Sequence, residues 1–266
     1  MLNNNYPVSQ NKIDPIGLFS GKMGIAFYKL HYARYYPDKD YKARALSIIN
    51  ENKKNIHWGT TFRYADGLAG IGSAFSYLLR EGFIKTSDTD FFSDIDSYFF
   101  KKIYAYKHID LSRDSGLVGI GYYLLNRIMD MPDINDIYSV KLRYWLLLVQ
   151  DIIFAYLGMN GFAYPVMKSD ALTDSVIGDV KRFLCRMMKS GLCPELTQKA
   201  LALTNKNGFG EQTVFARLEE AYNNKNMKEF RSLLEKIVGL PEDSPAKRLA
   251  ILQLQKTTLP AWWELF

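Results

Sequence analysis

The sequence predicts an all-α protein assembled from stacked helix pairs. Three observations lead there. A short glycine phrase occurs three times, as Gly21-Lys22-Met23-Gly24-Ile25-Ala26, Gly67-Leu68-Ala69-Gly70-Ile71-Gly72 and Gly116-Leu117-Val118-Gly119-Ile120-Gly121, at intervals of 46 and 49 residues. Each copy opens an apolar, helix-like run, and an interval of that size fits a two-helix unit that buries its apolar faces only by stacking on neighbours. Alternating β-branched runs bounded by turn residues, the mark of strands, are scarce throughout.

Residues 1–16 are polar, carry Pro7 and Pro15 and lack periodicity, so they read as an N-terminal arm. From Gly17 to Arg34 apolar positions cover most of a helix circumference, as in an element packed on several sides, and Pro37 stops the run. Residues 41–56 carry one apolar face and one charged face, which makes them the outer partner of that inner helix. The order repeats with an inner run over 67–80, a turn at Glu81-Gly82 and an outer run over 90–107. A third pair follows, 116–129 and 137–157, broken at Met131-Pro132. Arg34 and Arg80 each stand ten residues after the second glycine of their phrase, whereas Arg127 comes two residues early. Three helix-pair repeats therefore occupy 17–158.

Past Gly158 the phrase is lost. Gly161 to Pro165 read as a loop, and helices are predicted over 174–190, 194–202, 213–222, 227–238 and 244–255, with Gly191 and Pro194 as stop and restart signals. Residues 159–266 are thus a divergent helical part of the same domain. The final stretch brings Trp262, Trp263, Leu265 and Phe266 together, and folding back onto the domain is its simplest fate.

Composition narrows the function classes. With 48% hydrophobic and 14% aromatic residues, the chain has material for a real core. Its net charge of +6 is spread out, without the Lys/Arg run of a nucleic-acid arm, so no nucleic-acid partner is expected. Two cysteines, Cys185 and Cys193, argue against a disulfide framework and for a reducing compartment. The first residues lack the regions of a secretory signal, so the expected location is cytoplasmic. The most apolar run, 142–157, is shorter than the roughly 20 residues a membrane span needs and is interrupted by Arg143, Gln150 and Asp151, so no membrane partner is expected either.

Two readings compete for the glycines. Small residues on consecutive turns let neighbouring helices and a sharp entry loop approach closely; alternatively, glycines at a helix start expose N–H groups to an anion. The phrase lacks the Lys-Ser/Thr ending of a phosphate loop and follows no strand, so packing is favoured. Asp14, Asp66 and Asp114, just ahead of the phrases, are predicted as helix caps.

Three GxxGI phrases, each opening an inner helix paired with an outer one, resemble the lanthionine synthetase C-like family. The stretch from Ser115 to Leu125 is especially similar to that family's repeats, and Gly17 to Ala26 to its opening unit. The resemblance covers 17–157 and implies an α/α toroid of inner and outer helices, incomplete or divergent in its C-terminal part. It also implies zinc-dependent addition of peptide cysteine thiolates to dehydrated Ser or Thr. The family's zinc is held by two cysteines and a histidine, one cysteine in a Cys-His-Gly phrase, and this chain has no Cys-His pair and no histidine after Gly158.

The expected protein is accordingly a non-zinc, degenerate relative with no metal or other cofactor. Its role is peptide-binding or accessory in maturation of a ribosomally made peptide, with the peptide at the concave, repeat-lined centre. Its partners are that peptide or a peptide-modifying enzyme, and a homo-oligomer that completes the toroid is a further reading. The alternative is a thioether-forming cyclase with a rebuilt site, for which zinc would be expected. An acid ahead of the third phrase takes part in family chemistry, which makes Asp110 the nearest match and Asp114 its competitor. Loops ahead of the second and third phrases open on one end of a toroid, so His57, Trp58, Arg63, Tyr64, His108, Asp110, Arg113 and Asp114 form a candidate peptide-binding rim, with His108 and Asp110 as catalytic candidates. Cys193, at the predicted start of the helix beginning at Pro194, is a candidate nucleophile. His31 is predicted to be a packed, hydrogen-bonded core residue.

Overall fold

The computed structural model describes residues 16–36, 39–56, 60–85, 89–105, 110–131, 133–159, 173–206, 214–256 and 259–266. Within them the chain forms eleven α-helices. These are α1 (Lys22–Tyr35), α2 (Lys39–Asn55), α3 (Leu68–Arg80), α4 (Thr89–Ala105), α5 (Leu117–Met129), α6 (Ile137–Tyr156), α7 (Asp174–Ser190), α8 (Pro194–Lys206), α9 (Val214–Asn223), α10 (Met227–Val238) and α11 (Pro245–Gln255). A 3₁₀ turn, Trp262–Leu265, follows. The predicted 161–165 loop and the arm up to residue 15, including Asp14, lie outside the described residues.

Helices pack in pairs, α1 with α2, α5 with α6, α7 with α8 and α9 with α10, and the first members of successive pairs pack on one another from α1 through α3 and α5 to α7. The circuit closes because α11 packs on both α10 and α1. Burial follows the same division: nearly every residue of α3 and α5 is buried, while α2 carries Ala45 and Ile49 on one buried side. Successive first helices run parallel and in register. Phe27 of α1 meets Tyr77 of α3 at 5.0 Å between ring centroids, and Tyr122 of α5 meets Phe183 of α7 at 5.7 Å.

The glycine phrases explain the register. Residues 17–20, read from sequence as the first turn of a helix, are instead a loop, and α1 begins at Lys22. Each loop folds back over the helix it precedes. Met23 N donates to Ile16 O at 3.2 Å, Leu68 N to Thr61 O at 2.9 Å and Leu117 N to Asp110 O at 2.7 Å, so loop carbonyls absorb helix-start donors that otherwise lack partners. The caps predicted at Asp66 and Asp114 are therefore not used: Gly67 and Gly116 stand at the N-caps of α3 and α5. Asp66 instead lies 3.3 Å from Arg63, and Asp114 lies 2.9 Å from Arg113.

This fold-back requires the second glycine of each phrase. A Cβ on Gly24 would sit 2.1 Å from Leu18 O, on Gly70 1.8 Å from Tyr64 O and on Gly119 2.2 Å from Arg113 O. Two residues on, Gly72 and Gly121 admit the rings of Tyr123 and Phe183 from the next first helix, which a Cβ would meet at 2.3 and 2.7 Å. The glycines are thus packing residues.

Loops also bind one another. Leu18 N and Phe19 N both donate to Ala65 O at 3.0 Å, and Tyr64 N and Ala65 N both donate to Asp114 O at 3.0 and 3.2 Å. In the third loop the equivalent donor, Arg113 N, meets Asp179 Oδ2 of α7 at 2.9 Å, a side chain in place of a backbone carbonyl.

Trp262, Trp263, Leu265 and Phe266 are all buried. Phe266 stacks on Phe19 at 5.5 Å and lies 6.2 Å from Phe27, Trp263 lies 5.1 Å from Phe230 of α10, and Trp262 Nε1 donates to Gln253 of α11 at 3.3 Å. Arg182 of α7 donates to Trp263 O at 3.0 Å, and Arg113 donates to Phe266 O. The segment thus touches elements on all sides of the circuit and fills its middle.

Two glycine substitutions separate packing from propensity. Gly70→Ala forces a methyl into the Tyr64 carbonyl and is expected to lower unfolding free energy by about 1–3 kcal/mol. Gly178→Ala, inside α7 with nothing within 4 Å of its Cβ, is expected to raise it by about 0.5–1 kcal/mol. Denaturant titration of both variants measures the two signs.

Candidate functional site

Of the residues singled out from sequence, His57, Trp58 and His108 lie outside the described residues. The others on the glycine-loop end are occupied with structural contacts. The Asp110 carboxylate accepts from Ser112 N at 2.8 Å, Ser112 Oγ at 2.5 Å and Ser115 Oγ at 2.6 Å. Burial opposes its ionisation, but these bonds outweigh burial and hold its carboxyl below the ordinary range. Arg63 is half exposed. Tyr64, expected on the rim, is 1% exposed and points inward, where it lies 5.9 Å from Tyr122. The Arg113 guanidinium lies between Asp114, the Phe19 ring at 4.9 Å and Phe266 O, so it pins the final segment rather than facing a solvent-lined centre.

Cys193 lies apart from these residues. It has φ of 44°, its carbonyl accepts from Thr197 N at 3.0 Å at the start of α8, and it lines a pocket of about 90 Å³ with Leu147, Phe154 and Leu196. Cys185 is exposed on α7. His31 is buried as expected, 4.5 Å from the Phe83 ring, but neither ring nitrogen has a hydrogen-bond partner, which corrects the expected bond. Burial first, then the Arg34 charge, pulls its pKa down to about 3, so it is a neutral core ring.

The zinc implied by the resemblance needs two thiolates and an imidazole. Among the described residues no three His, Cys, Asp or Glu side chains converge to hold a metal ion. The described donor set does not fit that metal. No helix among the described residues is long and apolar enough to cross a membrane.

A cleft of about 400 Å³ opens at the other end of the circuit, between the C-terminal ends of α5 and α7, α9 and the 3₁₀ turn. Its position follows from the arginine spacing. Arg34 of α1 donates to Glu81 O in the turn after α3 at 2.6 Å, and Arg80 of α3 lies 3.6 Å from Asp130 in the turn after α5. The same position of α5 is Met129, 55% exposed, which offers no such bond, and Arg127 turns back to Asp96 at 3.7 Å. Met129 instead lines the cleft with Leu125, Ile128, Tyr222 and Trp263 as apolar wall.

Charged groups form the other wall. Glu219 of α9 lies 3.9 Å from Arg182, 3.3 Å from Arg186 and 2.9 Å from Lys189, and these links join α7 to α9. Burial opposes ionisation of Glu219, but the Arg186 charge and its other cationic neighbours outweigh it and bring the carboxyl down to about 2. Arg186 also lies over the Tyr122 ring at 5.0 Å. Sequence reading missed this site, although the displaced Arg127 signalled that the arginine series stops at α5. Its described lining pairs three cationic side chains, Arg143, Arg186 and Lys189, with two carboxylates, Glu219 and Glu264. No protein-family model and no curated protein sequence matches the chain.

Because the folded pKa of Glu219 lies below its unfolded value of 4.5, its stabilisation is present above about 4.5 and is lost as pH falls toward 2. Glu219→Gln is therefore expected to cost about 2–3 kcal/mol at pH 7. Urea titrations from pH 7 to pH 3 should find the gap between wild type and variant narrowing below pH 4.5.

Proposed function

We propose that the chain is a divergent lanthionine synthetase C-like protein with an α/α-toroid architecture, acting as a peptide-binding component in maturation of a ribosomally made peptide. The observation that carries this reading is the 400 Å³ cleft, which sets an apolar wall opposite a charged one, as recognition of alternating side chains requires. Support for the family comes from the three GxxGI loops and from the packing of α11 on α1, which joins the ends of the helix succession. The peptide site moves from the centre to the cleft, because residues 262–266 fill the centre. A binding role rather than ring closure is favoured by the sequence, which has no Cys-His pair of the kind that holds the family's zinc.

The test uses a fluorescein-labelled peptide of Cys, dehydroalanine and dehydrobutyrine residues. Fluorescence polarisation should rise saturably with protein, while iodoacetamide still alkylates every peptide thiol after incubation. Loss of alkylation at unchanged peptide mass would mean that sulfur has bonded to the dehydroalanine β-carbon with the thiol proton moved to the α-carbon, and the chain would be a cyclase. Absence of binding to this peptide and to its undehydrated precursor would sink the reading.

A further inference from the structure

We infer that the cleft between the ends of α5, α7 and α9 is a carboxylate-binding site, in which Asn126, Arg186 and Arg143 receive one carboxylate of a peptide whose neighbouring apolar side chain lies on Met129 and Trp263. The inference deepens the peptide-binding reading and rests on it for the body of the ligand; the anion site stands on its own observations.

Two buried nitrogens decide the chemistry. Asn126 is 4% exposed and its Nδ2 has no hydrogen-bond partner; the Arg186 side chain is 10% exposed and its Nε has none either. Both residues line the cleft, and among its lining residues they are the ones with an unpartnered buried polar atom. Both atoms are donors, so the missing group is an acceptor. A buried donor left without a partner is costly, which makes an acceptor that satisfies both favourable.

Charge selects an ionised acceptor. The cleft is lined by Arg143, Arg186 and Lys189 against Glu219 and Glu264, an excess of one positive charge. Glu219 is held by Arg186 and Lys189, and Glu264 lies 3.8 Å from Arg80. Arg143 donates to Ser139 Oγ and has no carboxylate partner among the described residues. One carboxylate therefore balances the cleft and fills the open donors, and the guanidinium and amide N–H groups give it planar, charge-assisted bonds. The wall of Leu125, Ile128, Met129 and Trp263 requires an apolar group beside it.

Three probes, followed by tryptophan fluorescence, test this. They are N-acetyl-leucyl-phenylalanine with a free carboxylate, its primary amide, and N-acetyl-leucyl-aspartyl amide, whose carboxylate is on a side chain. The acid of the first or third probe should bind at least tenfold tighter than the neutral amide, and whichever does identifies a terminal or a side-chain source. Asn126→Asp, which puts a carboxylate where the ligand's would lie, should abolish that binding, and Arg143→Gln should weaken it about tenfold with an unchanged melting temperature. Acid and amide binding equally, or acid binding untouched in both variants, overturns the inference. If the acids bind and the long dehydrated peptide does not, the anion site holds and the peptide reading fails. If the long peptide binds and neither short acid binds better than the neutral amide, the anion site fails and the peptide reading holds.

Discussion

In each of the first two glycine loops, two adjacent backbone N–H groups converge on a single carbonyl of the next loop, Ala65 O for the first and Asp114 O for the second. The placement of α1, α3 and α5 depends on that contact. It fixes one loop against the next at the same position of each repeat, so the helices that follow start level and run parallel. Bonds of this kind are worth about 0.5–1.5 kcal/mol each, but their value here is geometric. Main chain bonds to main chain, which leaves side chains free to differ. The requirement is that each loop lie close over its own helix, and Gly24, Gly70 and Gly119 meet it by lacking a Cβ.

The relay ends where the phrase ends. Arg113 N donates to the Asp179 carboxylate of α7. Burial raises that carboxyl above its ordinary range, with the Arg113 N–H and the Arg113 and Arg182 charges pulling the other way. A side chain has replaced a backbone carbonyl, and α7 joins the series through it. At the far end of the same helices the change of regime has the opposite result. Arg34 and Arg80 bind one turn onward, Met129 does not, and a cleft remains.

Sequence reading located the helices well because amphipathic periodicity and glycine-proline stops are local signals. α7 and α10 have the predicted bounds, and α3, α5, α6 and α11 differ by a residue at one end. It failed at 17–20, where apolar Leu18 and Phe19 fit a helix but their N–H groups are committed to Ala65. It failed also at Asp66 and Asp114, since an acid beside a helix start resembles a cap whether or not a loop carbonyl has already taken the donors. Of the rim residues, Tyr64 faces inward and Arg113 is tied to Phe266, which burial and the final segment decide rather than local sequence. The cleft was not legible because its members, Asn126, Arg186 and Glu219, come from three helices whose association depends on how α7 and α9 face each other. No spacing along the chain encodes that.

The two ends of the circuit differ for an electrostatic reason. Parallel helices place their N-termini on one side, where loop carbonyls occupy the first donors, and their C-termini on the other, where partial negative charge collects. Basic residues stand in the last turn of α1, α3, α5 and α7, namely Arg34, Arg80, Arg127 and Lys189, as that charge favours. The same helix ends oppose an incoming anion by a fraction of a charge each, so net charge alone does not make the cleft a carboxylate site. Directed N–H groups do, because hydrogen bonds to an ionised acceptor depend on short, aligned geometry more than on the distant field. Asn126 Nδ2 and Arg186 Nε are such groups, buried and unpartnered at the level where the arginine ladder stops. The break in the repeat that opens the cleft is thus also what leaves its donors free.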